Sequence, residues 1–380
     1  MQVSQHIWDA TSVPPQWSPA LTEGQADLLL LFASVDPAAA INTLQQHFPE
    51  TPLCGSSASG EIHQQRVIDN SITLTVIRFA HTRIRLVTEC VDGIEGSRQA
   101  GIRVAQQLQQ DDLIHILVFA NGLSVNGSQL VAGLNQQLAP FNHISGGIAA
   151  DGERFKQTWL YTSDGRFSHH VCGIGFYGQH LSVSCGSYGG WDPFGPKRRI
   201  TRARGNRLYE LDDICALDLY EKYLGHYADQ LPASGLRFPL LISAADNDPV
   251  VCSVLGIDWQ ERCLLFGADI PEQHFAQLMR ANVDRLIDGA HTACQQVSQQ
   301  NQATPDFALL VSCVGRRAVM QQLIDEELEA FSETLGANIP VCGFYSYGEI
   351  APNRGVGKCN LHNQTLTITT FTERTACTDC

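Results

Sequence analysis

Three stretches of the chain repeat one order of apolar and polar positions. Residues 27–34 (DLLLLFAS) form an unbroken apolar run of strand length, the pattern of a strand covered on both faces. Asp36-Pro37 then marks a helix start, Ile41, Leu44 and Phe48 recur at helical spacing, and Pro49 closes the helix before TPLCGSSASGEI. ILVFANG (116–122) leads to a helix carrying Leu130, Val131, Leu134 and Leu138, then to HISGGIAAD (143–151). LLVSCVG (309–315) leads to a helix carrying Val319, Met320, Leu323, Ile324, Leu328, Phe331 and Leu335, then to IPVCGFYSYGEI. Strand, turn, helix, strand implies parallel strand pairs joined by right-handed crossovers. The fold class is therefore α/β: two packed α/β domains built from repeated strand–helix–strand units, with additional antiparallel strands.

Two of the copies align letter by letter. PLCGSSASGEI (52–62) and PVCGFYSYGEI (340–350) share six of eleven positions, whereas the middle copy keeps only the paired glycines. Short β-rich segments, WLYT (159–162), HVCGIGFY (170–177) and LSVSC (181–185), read as antiparallel strands between the copies. A helix over 213–224 ends the first half. The second half opens with FPLLISA (238–244) and a hairpin through Cys263–Phe266. A long helix is expected from Glu272, presenting Phe275, Leu278, Met279, Val283, Leu286 and Ile287. The expected organisation is an extension over 1–26, a first domain over 27–224, a second over 225–372, and a tail over 373–380.

Composition narrows the function classes. A hydrophobic fraction of 44% suits large buried sheets. A net charge of −14 argues against nucleic acid or an anionic membrane as partner. The basic run Lys197-Arg198-Arg199, with Arg202 and Arg204, reads as a solvated loop. With no secretory signal or membrane span visible, the thirteen cysteines read as free thiols in a reducing cytoplasm.

Candidate chemistry gathers around the repeats. Gly173-Ile174-Gly175-Phe176-Tyr177-Gly178 matches a dinucleotide fingerprint, but a strand follows where a helix must begin, so the cofactor reading fails. Cys54 and Cys342 have no histidine at a matching offset and are read as packing residues. Glu61 is read as closing a turn, and Glu349 as a carboxylate held at a strand end. Where the first copy has serines, the second has Phe344, Tyr345 and Tyr347, suited to an apolar or planar ligand. Arg316 follows a strand directly, placed to clamp a carboxylate. Cys359-x-x-His362 and Cys377-x-x-Cys380, fourteen residues apart, have the form of a zinc set. No nucleophile–base pair stands out, so a sensory or binding protein is expected rather than an enzyme.

CGSSASGEI, SGGIAADG, SCVGRR and CGFYSYGEIAP together resemble the FIST sensory domains, an N-terminal followed by a C-terminal region. The ending GFYSYGEIAP…CNLHNQTLTITTF is most similar to the branch of bacterial nitric-oxide-sensing haemoproteins. The resemblance implies a cytoplasmic sensor that binds a small molecule or gas. Its partner would be a histidine kinase, a diguanylate cyclase or a cyclic-diguanylate phosphodiesterase. In that branch haem is the cofactor, with His362 the first choice of iron ligand and His143 the second. Two alternatives stand beside it: a non-haem sensor of an amino acid or carboxylate using Arg316 and Glu349, and a zinc or thiol redox sensor using Cys359, His362, Cys377 and Cys380.

Overall fold

The computed structural model describes residues 1–9, 26–138, 143–243, 249–353 and 357–374. β1 (Gln2–Asp9) is followed by β2 (Leu28–Ala33), α1 (Ala38–His47), β3 (Leu53–Ser57), the hairpin β4 (Glu61–His63) and β5 (Arg66–Ile68), and β6 (Ser71–Arg78). The order then repeats. β7 (Arg83–Cys90), α2 (Ser97–Leu108), β8 (Leu113–Ala120), α3 (Gly127–Gln137) and β9 (His143–Ile148) lead to the hairpin β10 (Leu160–Thr162) and β11 (Gly165–Phe167), and then β12 (His170–Tyr177).

A third repeat opens with β13 (Leu181–Tyr188) and is interrupted by an antiparallel module. That module spans Asp192 to Arg280, with a nine-stranded sheet and α4 (Ala216–Leu224). The repeat resumes with α5 (Val283–Gln300), β14 (Phe307–Cys313), α6 (Val314–Met320), α7 (Glu326–Leu335) and β15 (Val341–Ser346). The hairpin β16 (Gly348–Pro352) and β17 (Cys359–His362) and then β18 (Leu366–Glu373) complete it.

Three sheets of equivalent order result: β1-β6-β2-β3-β10-β11, β7-β12-β8-β9-β16-β17 and β13-β18-β14-β15-β4-β5. Each contains one parallel pair with a helical crossover: β2–β3, β8–β9 and β14–β15. Each unit gives its hairpin to another unit's sheet. The first unit's β4 pairs with β15, the third's β16 with β9, and the middle one's β10 with β3. The exchange closes on itself.

The apolar runs are two-faced for a reason. Leu30 and Phe32, Leu117 and Phe119, and Leu309 and Val311 face one shared inner core. There Phe32 stacks on Phe344 at 4.5 Å and Phe119 lies 5.9 Å from the same ring. The alternate residues pack outward under helices: Leu29 and Leu31 under α1, Ile116 and Val118 under α2 and α3, Ala308 and Leu310 under α5 and α7. Gly55, Gly146 and Gly343 hold the same place in the three units. A Cβ there would lie 1.7, 1.8 and 1.8 Å from the carbonyl oxygen of Leu31, Val118 and Leu310. No side chain fits that gap, which is why the paired motif keeps its glycine.

Several expectations change. Phe275–Arg280 is a strand of the antiparallel module, and the helix expected from Glu272 begins only at Val283. Asn282 caps it by accepting from the Asp284 and Arg285 amides. The helix expected over 319–335 is broken into α6, a 3₁₀ turn at Gln321–Leu323 and α7, with Gln321 at φ 49°. The basic run is not a loop, because Arg198–Arg204 is a strand. Within the expected extension Gln2–Asp9 forms β1, paired along its length with β6. The boundary drawn after Leu224 falls inside the antiparallel module, where Leu224 shares a core with Leu240.

Candidate functional site

Arg316 is fully buried, and its guanidinium clamps a carboxylate of the protein itself. Nε donates to Glu327 Oε2 at 2.9 Å, and Nη2 lies 2.8 Å from that oxygen and from the Leu286 carbonyl. Nη1 donates to the Gly189 carbonyl. Ser312 and Tyr345 hydroxyls donate to Glu327 Oε1. Arg316 was expected to clamp a carboxylate; here Nε and Nη2 both meet one oxygen of the protein's own Glu327, Tyr345 of β15 shares that carboxylate, and each guanidinium nitrogen is already engaged.

The aromatic copy is likewise internal. Phe344 lies in the inner core, Tyr345 serves Glu327, and the Tyr347 hydroxyl meets Asp151 and Gly152 while its ring stacks on Phe155 at 5.0 Å. Glu349 is fully buried. Oε1 accepts from Ser346 Oγ at 2.7 Å, and Oε2 accepts from the Thr365 amide and hydroxyl. Burial pushes its carboxyl up to about 8 against those hydrogen bonds. Glu61 repeats the arrangement, accepting from Ser71 and Ser34, with burial again raising it to about 8.

His362 stands opposite Glu349 in the β16–β17 ladder, its Nε2 3.0 Å from the Ala351 carbonyl oxygen. His143 opens β9 at the end away from Ile148, opposite His115. Haem needs a free ligand atom beside a planar apolar slot. Here His362 Nε2 faces a strand carbonyl, and Phe344, Tyr345 and Tyr347 are already packed, so these four residues leave no open slot for haem between them. Cys359 and His362 are three apart on one strand and point to opposite faces, so they do not converge on one zinc ion. Cys377 and Cys380 lie outside the described residues. Cys54 and Cys342 are buried, and burial pushes the Cys342 thiol up to about 12, as suits packing.

Open space lies elsewhere. A cleft of about 990 Å³ separates the carboxyl end of β8 from the antiparallel module. Its floor is the loop after Ala120, pinned by Asn121, whose Oδ1 accepts from the Leu123 and Ser124 amides at 3.2 Å. Asn126 caps α3 by accepting from the Gln129 amide, and its Nδ2 donates to Asp269 of the module at 2.6 Å. The Asp269 amide donates to Ser128 Oγ at 3.0 Å. These contacts tie the module to the α3 N-terminus, where the helix dipole is positive.

The far wall carries Arg204, Arg207, Tyr209 and Glu261. Asp258, Glu261 and Cys263 come close enough to hold a metal, but Arg207 Nη1 occupies their focus, 2.7 Å from Asp258 Oδ2 and 3.4 Å from Glu261 Oε2. The side chains of Arg204 on this wall and Glu95 on the opposite one engage in no hydrogen bond or ion pair among the described residues. Sequence reasoning missed both, and the only signal for Arg204 was the basic run it ends.

The FIST N domain model matches residues 27–214 and the FIST C domain model residues 216–352. Two uncharacterized proteins of Mycobacterium tuberculosis, from strains CDC 1551 / Oshkosh and ATCC 25618 / H37Rv, are each 25% identical over 268 residues, covering 68% of this chain and 68% of their own length. Among the described residues no helix is long and apolar enough to cross a membrane.

Proposed function

We propose, for a chain that belongs to the FIST family through both matched domains, that it senses a small zwitterionic ligand of the amino-acid class in the cleft between β8 and the antiparallel module. FIST domains are signalling sensor domains; the ligand class, the site and the output are the proposal. The observation that carries it is a large cleft with an unpaired cation, Arg204, on one wall and an unpaired anion, Glu95, on the other, among the described residues.

Three further features support the reading. The cleft lies outside the carboxyl end of a parallel strand, where α/β sheets bind ligands. It lies at a junction of two structural layers, as ligand sites tend to. Its lining also carries Asn126, Gln129, Asn206 and Tyr209, polar side chains of the kind that orient a small ligand. The cytoplasmic setting, and output through a separate histidine kinase or cyclic-diguanylate enzyme, belong to the same proposal.

Calorimetric titration with the twenty amino acids tests it. At least one is expected to bind wild type, and Arg204→Gln and Glu95→Gln are each expected to weaken that binding at least tenfold with unchanged folding. Binding unaffected by both substitutions would refute the site. A visible absorption spectrum after incubation with haem tests the gas-sensing alternative: a Soret band that shifts with nitric oxide, alongside failure of every amino acid to bind, would replace the proposal.

A further inference from the structure

A second cavity, of about 270 Å³, opens at the carboxyl end of the first unit's parallel pair, β2–β3. It is the counterpart in unit one of the cleft in the middle unit, and the serine copy of the repeat builds its floor. Both carboxylates on its wall are already engaged. Asp36 accepts from Arg166 and from the Ala38 amide, each at 3.1 Å. Asp151 accepts from the Lys156 and Gln157 amides at 2.9 Å and from the Tyr347 hydroxyl.

The donors, by contrast, are left over. The Lys156 ammonium takes part in no hydrogen bond or ion pair among the described residues, and Arg154 uses only Nε, on the Asp151 carbonyl at 2.7 Å. Tyr161 lines the cavity, and its hydroxyl, which engages no partner among the described residues, is open to the cavity rather than sealed in the core. Ser57 Oγ accepts from the Trp159 amide at 3.0 Å and keeps its proton to give. Three cations face two occupied carboxylates in a chain whose net charge is −14, so the local field runs against the molecule's own.

We propose that this cavity is a second ligand site, taking a small aromatic carboxylate. The carboxylate meets Lys156 and Arg154, and the ring lies against Trp159 and Tyr161. The volume equals about nine waters at ~30 Å³ each, room enough for a benzoate ion. The site is independent of the amino-acid cleft and draws on different residues.

Benzoate, benzyl alcohol and inorganic phosphate, titrated by calorimetry into the full chain, test the proposal. Benzoate is expected to bind wild type and benzyl alcohol to give no heat. Arg154→Gln combined with Lys156→Gln changes only exposed side chains and is expected to weaken benzoate at least tenfold. Tyr161→Phe is expected to weaken it less. Arg204→Gln, in the other site, is expected to leave benzoate binding unchanged. No heat with benzoate, equal binding by the double variant, or binding of phosphate without benzoate would each overturn the proposal, whatever the outcome for amino acids.

Discussion

Replacing Glu349 with Gln should make the protein more stable at neutral pH and flatten its stability profile. The carboxyl is fully buried and raised to about 8 from an ordinary 4.5. Because the folded value lies above the unfolded one, the native state holds a proton that the unfolded chain releases. Stability therefore falls as pH rises through about 4.5 and stops falling near 8, at about 1.4 kcal/mol per pH unit between. At pH 7 the accumulated cost is about 3 kcal/mol.

The Glu349→Gln variant escapes that cost and keeps the local bonds: the new amide's oxygen accepts from Thr365, and its nitrogen donates to a reversed Ser346 hydroxyl. Urea unfolding of both proteins at half-unit steps from pH 5 to 9 gives the difference directly, and histidines common to both cancel from it. The difference should grow in favour of the variant up to pH 8 and then level. Parallel profiles would show that Glu349 is not protonated in the native state, and the reasoning would fail.

Arg316→Met strands Glu327 in the core and should cost about 3–5 kcal/mol in chemical unfolding, with Arg316→Met combined with Glu327→Met recovering much of it. Gly343→Ala forces a Cβ against the Leu310 carbonyl and should lose about 3 kcal/mol or more, read as a fall in the urea midpoint at unchanged slope. Asp269→Ala removes the bonds from Asn126 and Gln129 that hold the module to α3. It should raise amide exchange at the start of α3 and weaken any amino acid bound in the cleft.

What the sequence revealed was whatever repeats locally. Two-faced strands, helix crossovers and the rejected dinucleotide fingerprint were all readable because neighbouring stretches of chain determine them. The helix expected at Glu272 misled because Phe275, Leu278 and Met279 satisfy a helical period by chance. In the strand, Ala276 and Leu278 turn inward while Phe275 stays exposed. The pairing of Glu61 with Phe344 joins residues far apart in the chain, and no local pattern encodes it. The internal use of the candidate site residues was hidden for a related reason. Arg316, Glu349 and the aromatic copy look functional because they are polar or planar near a motif, and the fold uses those properties to satisfy its own interior. The charges that face the open cleft stood in ordinary surface segments.

The circular exchange of hairpins means that the sequence halves are not separable parts. A fragment ending near residue 224 would lack the strand that receives β4, and a fragment beginning there would expose the edge of β15. Each would present an open ladder matched to the other's missing piece, or to the same piece on a second molecule. The chain behaves as a trimer of like units sewn into one polypeptide. Fragments of it should recombine or swap hairpins between molecules before they fold alone.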